Sequence, residues 1–236
     1  MGGSIYLDAL SKFGVGGAHP GGLNLTKEMF KDVKMNNTSH VLDVGCGTGQ
    51  TAAYLATHFG AKVTGIDINP IMVEKARNRM EQSQLPVEII QGSIENCPLM
   101  NETFDFIISE SVLSFVNKPK ALKEIYRLLK KGGLFFANEM TINKPLTAMD
   151  EAEIRQFYGL DSILQKKEWI ALFEHSGFIN IRTYKNKTPV IHNQSMPDLH
   201  VSKYIEPKHY AILNEHFNII GKYQAILDYR IFSCMK

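Results

Sequence analysis

The segment VLDVGCGTGQ, residues 41–50, constrains the fold of this chain more than any other feature. A short apolar run meets an acid, Asp43, and is followed by glycines at every second position, Gly45, Gly47 and Gly49. The helix-like sequence TAAYLATHF comes next. Glycines at a strand-to-helix turn let the backbone bend sharply and let a ligand approach main-chain atoms. The start of the helix adds free N–H groups and a partial positive charge. This segment therefore predicts a small-molecule site at the end of a buried strand.

Residues 39–140 alternate short apolar runs with amphipathic segments. The runs typical of strands buried on both faces are VLDVG, KVTGIDI, VEIIQG, FDFIISE and LFFANEM. Asn69 and Pro70 mark the start of one intervening helix, as its cap and first turn. Gly132 and Gly133 are expected to end another helix. Such alternation predicts a mostly parallel sheet with helices on both faces.

The pattern is looser after Met140. Trp169 and Phe173 mark an amphipathic helix that ends at Gly177, and FINIRTY then predicts a strand. Residues 210–219 are predicted to be helical, and LDYRIFSCM predicts a closing strand. No repeat or linker divides the 236 residues, so we expect one domain, since domains have roughly 100–200 residues.

Charge and cysteine content disfavour several classes of protein. Lys and Arg number 26 against 24 Asp and Glu, which leaves no broad basic face for nucleic-acid phosphates. The cysteines Cys46, Cys97 and Cys234 form no CxxC pair and fit a reducing cytosol. The histidine spacings match no zinc signature, so we predict no metal. With no secretory signal and no apolar window long enough to span a membrane, we expect a cytoplasmic protein without a membrane partner.

The spacing of the glycine loop distinguishes between nucleotide cofactors. A dinucleotide fingerprint, G-x-G-x-x-G, needs its third glycine at position 50, where this chain has Gln50. The second predicted strand ends in Asp67, 18 residues after Gly49. An acid at that place can accept hydrogen bonds from both ribose hydroxyls. The pattern favours a nucleoside-containing cofactor that is not a dinucleotide.

With these motifs the sequence resembles the class I S-adenosylmethionine-dependent methyltransferases. The matching segments are VLDVGCGTG, VTGIDI, QGSIENCPL, FDFIISESVLSF and LLKKGGLFFANE. AHPGG, SESVLSFV and the NE after the fifth strand resemble, more narrowly, the small-molecule branch related to the ubiquinone-biosynthesis type. The resemblance implies a Rossmann-like α/β fold with a seven-stranded, mostly parallel sheet. Its last strand would be antiparallel, with LDYRIFSCM inserted beside LFFANEM.

The resemblance also implies how this single methyltransferase domain is organised. Residues 1–35 would form an N-terminal lid and helix, and residues 36–140 the cofactor-binding core. Residues 141–236 would form a C-terminal part with helical lid elements and a lid insertion at about 187–225.

The cofactor implied by the resemblance is S-adenosyl-L-methionine. Asp43 would order the glycine loop and face the methionine ammonium, and Asp67 would hold the ribose. Ser93 stands where the family usually has Asp, and it is a weaker acceptor for the adenine amino group. The positions expected to bind the cofactor are Asp43, Gly45, Cys46, Gly47, Gly49, Asp67, Ile68, Met72, Gly92, Ser93, Ile94 and Glu110.

Three residues are candidates for catalysis. His19 lies between glycines, and an ordinary imidazole pKa of about 6.5 suits a general base, although the pattern favours an ordinary turn histidine before Pro20. Glu110 and Glu139 follow the fourth and fifth strands, at the edge where α/β sheets bind ligands. Glu110 is expected to bind cofactor or a substrate amine, or to act as a base. Glu139 is either a substrate-orienting residue or a surface acid. Aromatic residues that could shape an acceptor pocket or pack within a cap are Tyr6, Phe13, Phe157, Tyr158, Tyr204 and Tyr210.

We therefore predict methyl transfer by in-line displacement to O, N, S or C of a modest, partly apolar metabolite, by a monomer or homodimer. Alignment of the reactants supplies most of the catalysis, and a base is needed only for a hydroxyl or carbon acid. One alternative is a nucleic-acid or protein methyltransferase, but residues 109–112 lack the [DNS]-P-P-[FYW] motif of the base-modifying enzymes. A protein that binds the cofactor without turnover and a nicotinamide dehydrogenase are further alternatives.

Overall fold

The computed structural model describes residues 4–184 and 198–236. Within these ranges seven strands form a sheet in the order β3-β2-β1-β4-β5-β7-β6. The strands are β1 (His40–Val44), β2 (Lys62–Asp67), β3 (Glu88–Gln91), β4 (Phe104–Glu110), β5 (Leu129–Ile142), β6 (Ile179–Tyr184) and β7 (Leu227–Met235). Strands β1 to β5 are parallel, and β7 is antiparallel to β5 and β6. The predicted fold class is confirmed, including the insertion of LDYRIFSCM beside LFFANEM.

Eight α-helices surround this sheet in the described ranges. They are α1 (Ile5–Phe13), α2 (Gly22–Phe30), α3 (Gln50–Phe59), α4 (Pro70–Gln82), α5 (Lys118–Leu128), α6 (Ala148–Tyr158), α7 (Lys166–His175) and α8 (Pro207–Tyr223). Two short 3₁₀ turns, Ile94–Asn96 and Leu113–Phe115, follow β3 and β4. The helix predicted over residues 210–219 is confirmed by α8, whereas α1 and α6 were not predicted.

Local signals explain where several elements begin and end. Asn69 Oδ1 accepts hydrogen bonds from the N–H groups of Ile71 at 2.9 Å and Met72 at 3.3 Å, so the predicted cap of α4 is confirmed. The helix end predicted at the paired glycines is wrong. α5 ends at Leu128, and Lys130 already belongs to β5, where it forms an ion pair with Asp105 at 2.8 Å.

The helices cover both faces of the sheet with apolar side chains. One core layer includes the fully buried Trp169, Phe173 and Phe135, and the opposite layer includes Phe30 and Leu55. Truncating a side chain of this size in such a core costs about 3–5 kcal/mol. These layers hold the carboxyl edge of the parallel strands rigid beneath the site.

A third apolar cluster joins α1, α6 and α8 to the rest of the molecule. Tyr6, Tyr158 and Ile219 represent the three helices, and Met72 of α4 packs in the same cluster. Residues 198–223 of the predicted lid insertion contribute a short extended segment and α8, whereas residues 187–197 lie outside the described ranges.

Candidate active site

The glycine loop between β1 and α3 has the conformation that its glycines allow. Gly45, Gly47 and Gly49 have φ of +65°, +53° and +76°, a region that other residues rarely adopt. A Cβ at Gly45 would lie 2.3 Å from Val112 Cγ2, whereas a Cβ at Gly47 would have no atom of the described chain within 4 Å. The loop therefore presents bare backbone toward open space at Gly47.

Two hydrogen bonds from the loop to β2 set its position. The N–H groups of Gly45 and Cys46 donate to the carbonyl oxygen of Ile66 at 2.7 and 3.1 Å. The Cys46 side chain is buried, and burial raises the pKa of its thiol well above the ordinary value. A Cβ on Gly65 would lie 2.9 Å from Cys46 Sγ, so this thiol fills a gap beneath the loop.

Asp67, at the end of β2, faces the glycine loop. Its Oδ2 accepts from the Gly47 N–H at 2.9 Å, and its Oδ1 accepts from the Asn69 N–H at 2.8 Å. Burial raises the pKa of Asp67, and these hydrogen bonds partly oppose that effect. The residue predicted to hold a ribose thus lies against the backbone predicted to hold the rest of the cofactor.

Other predicted cofactor residues lie beside Asp67. Ile68 is 70% exposed, which is unusual for a large apolar side chain, and Met72 is buried one turn into α4. The Gly92 N–H donates to the Asp67 carbonyl oxygen at 2.9 Å. Ser93 Oγ caps the following 3₁₀ turn, in which Ile94 is buried. The ends of β2 and β3 therefore offer an apolar surface next to a carboxylate.

Asp43 is buried beneath the glycine loop. Its Oδ2 has no hydrogen-bond partner within the described chain. Burial raises the pKa of Asp43 well above its ordinary value, and the charges of Glu110 and Asp67 raise it further. Both charged groups that raise this pKa are acids, so a cation bound here would stabilise the charged form of Asp43.

Glu110 ends β4 and connects three parts of the chain. Its Oε1 accepts from Thr26 Oγ1 of α2, and its Oε2 accepts from Thr51 Oγ1 of α3, both at 2.7 Å. The same Oε2 lies 3.4 Å from His19 Nε2, and the two side chains are 6% and 5% exposed. The structure therefore brings together two of the three predicted catalytic residues.

Asn138 completes this cluster and was not among the predicted site residues. It is fully buried on β5, directly opposite Glu110 in the strand register. Its Nδ2 donates to the Pro20 carbonyl oxygen at 3.1 Å and lies 3.4 Å from His19 Nδ1. Its Oδ1 is buried without a partner in the described ranges. The signals for it in the sequence were its polar side chain after the apolar run LFFA and its place in the NE pair of the family resemblance.

Glu139 projects from the opposite face of β5, because neighbouring strand residues alternate in direction. It is fully buried, so the interpretation as a surface acid is wrong. Its Oε1 accepts from the N–H groups of Val112 at 3.1 Å and Leu113 at 2.9 Å, and its Oε2 accepts from Ser114 Oγ at 3.0 Å. Burial raises the pKa of Glu139 to about 7. This carboxyl group orders the turn after β4 and does not join His19 and Glu110.

A short extended segment, residues 198–202, covers the N-terminal glycines. The Gly16 N–H donates to the Asp198 carbonyl oxygen at 2.7 Å, and the His200 N–H donates to the Gly14 carbonyl oxygen at 2.9 Å. Arg79 of α4 forms an ion pair with Asp198 at 2.5 Å. The same guanidinium donates from Nε to the carbonyl oxygen of Thr48 at 2.7 Å, which joins this segment to the glycine loop.

The candidate pocket aromatics divide into two groups. Tyr6 packs edge-on against Tyr158 with ring centroids 4.8 Å apart, and Phe157 packs on both. Tyr204 is exposed, and the partly exposed Tyr210 packs edge-on against the buried Phe13 with ring centroids 5.0 Å apart. The first group lies inside the cluster of α1, α6 and α8, and the second lies outside that cluster.

The side chains and helices of the described ranges bear on two further features, a metal site and a membrane-spanning helix. No group of three or more His, Cys, Asp and Glu side chains could hold a metal ion there. None of the helices in those ranges has both the length and the apolar character needed to cross a membrane.

Comparisons with known proteins agree on one family. A methyltransferase domain model matches residues 42–137. The chain is 35% identical over 233 residues to an uncharacterized methyltransferase, YodH, of Bacillus subtilis, covering 99% of this chain and 100% of that protein. It is 40% identical over 111 residues to a ubiquinone biosynthesis O-methyltransferase of Coxiella burnetii, 46% of each chain.

The fold is similar to that of a solved enzyme, phosphoethanolamine N-methyltransferase 2 of Haemonchus contortus in complex with S-adenosyl-L-methionine. The TM-score is 0.78 at 20% identity, and the match covers 98% of this chain. This chain spans 56% of the length of that larger protein. At this level of identity the likeness establishes the arrangement of strands and helices.

Proposed function

This chain belongs to the methyltransferase family, and we propose that it transfers the methyl group of S-adenosyl-L-methionine to a small, partly apolar acceptor. The cofactor, when bound, supplies a methyl group on a positively charged sulfur. The observation that carries the proposal is the cluster of buried acids at the carboxyl ends of β1, β2 and β4, in which Asp43 Oδ2 has no hydrogen-bond partner among the described residues.

The acids fit a cationic ligand for a simple electrostatic reason. Asp67 and Glu110 each interact unfavourably with a charged Asp43, and Asp43 Oδ2 has no hydrogen-bond partner in the described ranges. A buried acceptor without a partner costs about 1–3 kcal/mol. A ligand that carries an ammonium and a sulfonium supplies the missing donor and offsets the repulsion, whereas a dinucleotide would add negative charge.

The remaining predicted contacts follow from the order of the strands. We propose that Asp67 accepts hydrogen bonds from the ribose hydroxyls, and that Ile68 and Met72 contact the adenine. Bare backbone at Gly47 faces the open side of the loop. Glu110 of β4 and Asn138 of β5, which lie opposite each other, would line the part of the site that holds the acceptor.

His19 is proposed as the base for a hydroxyl or carbon acceptor. Its imidazole lies 3.4 Å from both Glu110 Oε2 and Asn138 Nδ2, and its Nε2 atom has no hydrogen-bond partner among the described residues. A ring nitrogen without a partner is available to take a proton from the acceptor. Asn138 Oδ1 remains to accept a hydrogen bond from a donor group of that acceptor.

The helical cluster above the site explains why we propose a partly apolar acceptor. Tyr6, Tyr158 and Phe157 pack together in a cluster that also contains Met72 of α4 and Ile142 of β5, and burial raises the pKa of both tyrosines. Such a lid excludes water from a reactive cofactor. We also retain the proposed division into a lid at residues 1–35, a core at 36–140 and a C-terminal part at 141–236.

We propose that the protein is a monomer or homodimer. We also propose a cytoplasmic location, because it fits the thiol chemistry of the chain. All three cysteines, Cys46, Cys97 and Cys234, are buried and unpaired. Persistent free thiols are typical of reducing compartments.

A panel assay tests the acceptor class. The protein is incubated with S-adenosyl-L-methionine and small hydroxyl, amine, thiol and carbon-acid compounds, and methylated products are sought by mass spectrometry. We expect a methylated product, with turnover of a hydroxyl acceptor reduced at least tenfold by His19→Gln and cofactor affinity retained. Binding of S-adenosylhomocysteine without any product across the panel would favour the non-catalytic alternative.

A further inference from the structure

The turn that follows β4, residues 111–114, has a restrained backbone conformation. Its first residue, Ser111, has a φ of +59°, a region that residues other than glycine rarely adopt. The Ser111 N–H donates to the Asn138 carbonyl oxygen at 2.7 Å, which fixes the start of the turn on β5. A serine keeps such a conformation only where surrounding contacts determine it. The turn therefore depends on the partners of its other residues.

Glu139 is the partner of the next three residues of the turn. Its Oε1 accepts from the N–H groups of Val112 at 3.1 Å and Leu113 at 2.9 Å. Its Oε2 accepts from Ser114 Oγ at 3.0 Å. Because Glu139 and Leu113 are fully buried, solvent does not replace these hydrogen bonds when the carboxyl group is removed. One side chain thus fixes most of the turn.

Val112 connects this turn to the glycine loop. A Cβ at Gly45 would lie 2.3 Å from Val112 Cγ2 and 3.1 Å from Val112 Cγ1, so the isopropyl group lies directly against Gly45. Gly45 is also held by β2, because its N–H donates to the Ile66 carbonyl oxygen at 2.7 Å. The loop therefore has two supports at Gly45, a hydrogen bond to β2 and the side chain of Val112.

We propose that Glu139 is a positioning residue for the cofactor, which acts by holding the turn so that Val112 keeps Gly45 in its binding conformation. Glu139 projects from the face of β5 opposite Asn138, so its effect on the ligand is indirect. The effect on the ligand rests on the proposed function, whereas the link from Glu139 to Gly45 does not.

A double-mutant cycle on the full chain tests this link. Glu139→Ala removes the carboxyl group, and Val112→Ala removes the contact with Gly45. We expect Glu139→Ala to weaken S-adenosylhomocysteine binding roughly tenfold and Val112→Ala roughly fivefold, as measured by calorimetry. Since the carboxyl group acts through Val112, adding Val112→Ala to Glu139→Ala should change the affinity by less than about twofold. Additive losses, or wild-type affinity in Glu139→Ala, would overturn the proposal.

Two further variants separate positioning from a general loss of stability. Glu139→Gln keeps an acceptor for Val112 and Leu113 and a donor for Ser114 Oγ, so it should restore affinity to within about twofold of the wild type. Phe173→Leu removes buried apolar atoms from α7 in the same core layer. It should lower the melting temperature and leave the affinity unchanged. Equal losses of affinity in Phe173→Leu and Glu139→Ala would overturn the proposal.

Hydrogen exchange in the ligand-free protein tests the same link without the cofactor. The Gly45 N–H should exchange faster in Glu139→Ala and in Val112→Ala, relative to the Phe178 N–H, which is hydrogen-bonded at the end of α7. Unchanged relative exchange would overturn the link. If Glu139→Ala does not fold, Glu139→Asp replaces it, because the shorter side chain withdraws the carboxyl group from the turn. Absence of S-adenosylhomocysteine binding by the wild-type protein would overturn the proposed function instead, and the exchange rates would still decide the link.

Discussion

Asp67 Oδ2 accepts a hydrogen bond from the Gly47 N–H at 2.9 Å, so the acid at the end of β2 is joined to the open turn of the glycine loop. The same carboxylate is the proposed partner of the ribose. One side chain therefore orders the loop in the free protein and offers a buried acceptor to the ligand.

Replacement of this acid tests the ribose assignment. We expect Asp67→Ala to weaken S-adenosylhomocysteine binding by about 1–3 kcal/mol, or roughly 5–150-fold, because the ribose donors lose a buried acceptor. Isothermal titration calorimetry measures the change. Glu174→Ala, at an exposed acid on α7, serves as the control. Unchanged affinity in Asp67→Ala would refute the assignment.

Proton uptake at Asp43 is expected to oppose cofactor binding. Burial and neighbouring acids raise the pKa of Asp43 in the free protein, and a bound ammonium lowers it by favouring the charged carboxylate. Binding should therefore release protons, and affinity should increase as the pH rises through this raised pKa. Calorimetry in buffers of different ionisation enthalpy counts the protons. Asp43→Asn should abolish the release, and an equal count in both proteins would contradict the linkage.

Two glycines of the loop should respond differently to the same substitution. Gly45→Ala combines a positive φ with a contact of 2.3 Å to Val112 Cγ2, so it should lower the melting temperature markedly. Gly47→Ala has no such contact, and its conformation costs about 1–2 kcal/mol. We expect Gly47→Ala to fold and to lose ligand affinity instead. Equal thermal destabilisation of the two variants would show that the loop is not open at Gly47.

Stability should depend on pH through Glu139. Burial raises the pKa of Glu139 from 4.5 to about 7, so the folded protein binds a proton that the unfolded chain releases. The stabilisation from this proton is fully present below about pH 4.5 and is lost as the pH rises to about 7. The free energy of unfolding falls by about 3 kcal/mol over that interval.

Glu139→Gln provides the matched test of this pH dependence. The amide can accept from Val112 and Leu113 through oxygen and donate to Ser114 Oγ, because a hydroxyl both donates and accepts. Urea unfolding at several pH values should show a flatter profile for this variant between pH 4.5 and 7. An unchanged profile would assign the dependence to other groups.

Three features could be predicted because each depends on residues adjacent in the chain. They are the glycine loop, the acid that ends β2 and the helix cap at Asn69. The order of the last strands followed from the resemblance to a family. α6 was missed because only Ile154 and Tyr158 of its residues are buried, so its apolar stripe is short. The helix end at Leu128 was misplaced because strand pairing, rather than the following glycines, ends α5.

The rest of the site depends on contacts between distant parts of the chain. Thr26, Thr51 and Glu110 meet only after folding, and nothing near Thr26 in the sequence indicates a carboxylate partner. The pairing of residues 198–202 with the N-terminal glycines is equally remote in sequence. Asn138 could be identified as a site residue only from the strand register, which places it opposite Glu110.

Calorimetric titration with S-adenosylhomocysteine, with NAD as the control, tests whether the glycine loop and its acids bind the proposed cofactor. The protein is first dialysed to remove any copurified ligand. We expect micromolar binding of S-adenosylhomocysteine and none of NAD. Absence of S-adenosylhomocysteine binding, or equal binding of NAD, would contradict the assignment of the glycine loop and its acids to S-adenosyl-L-methionine.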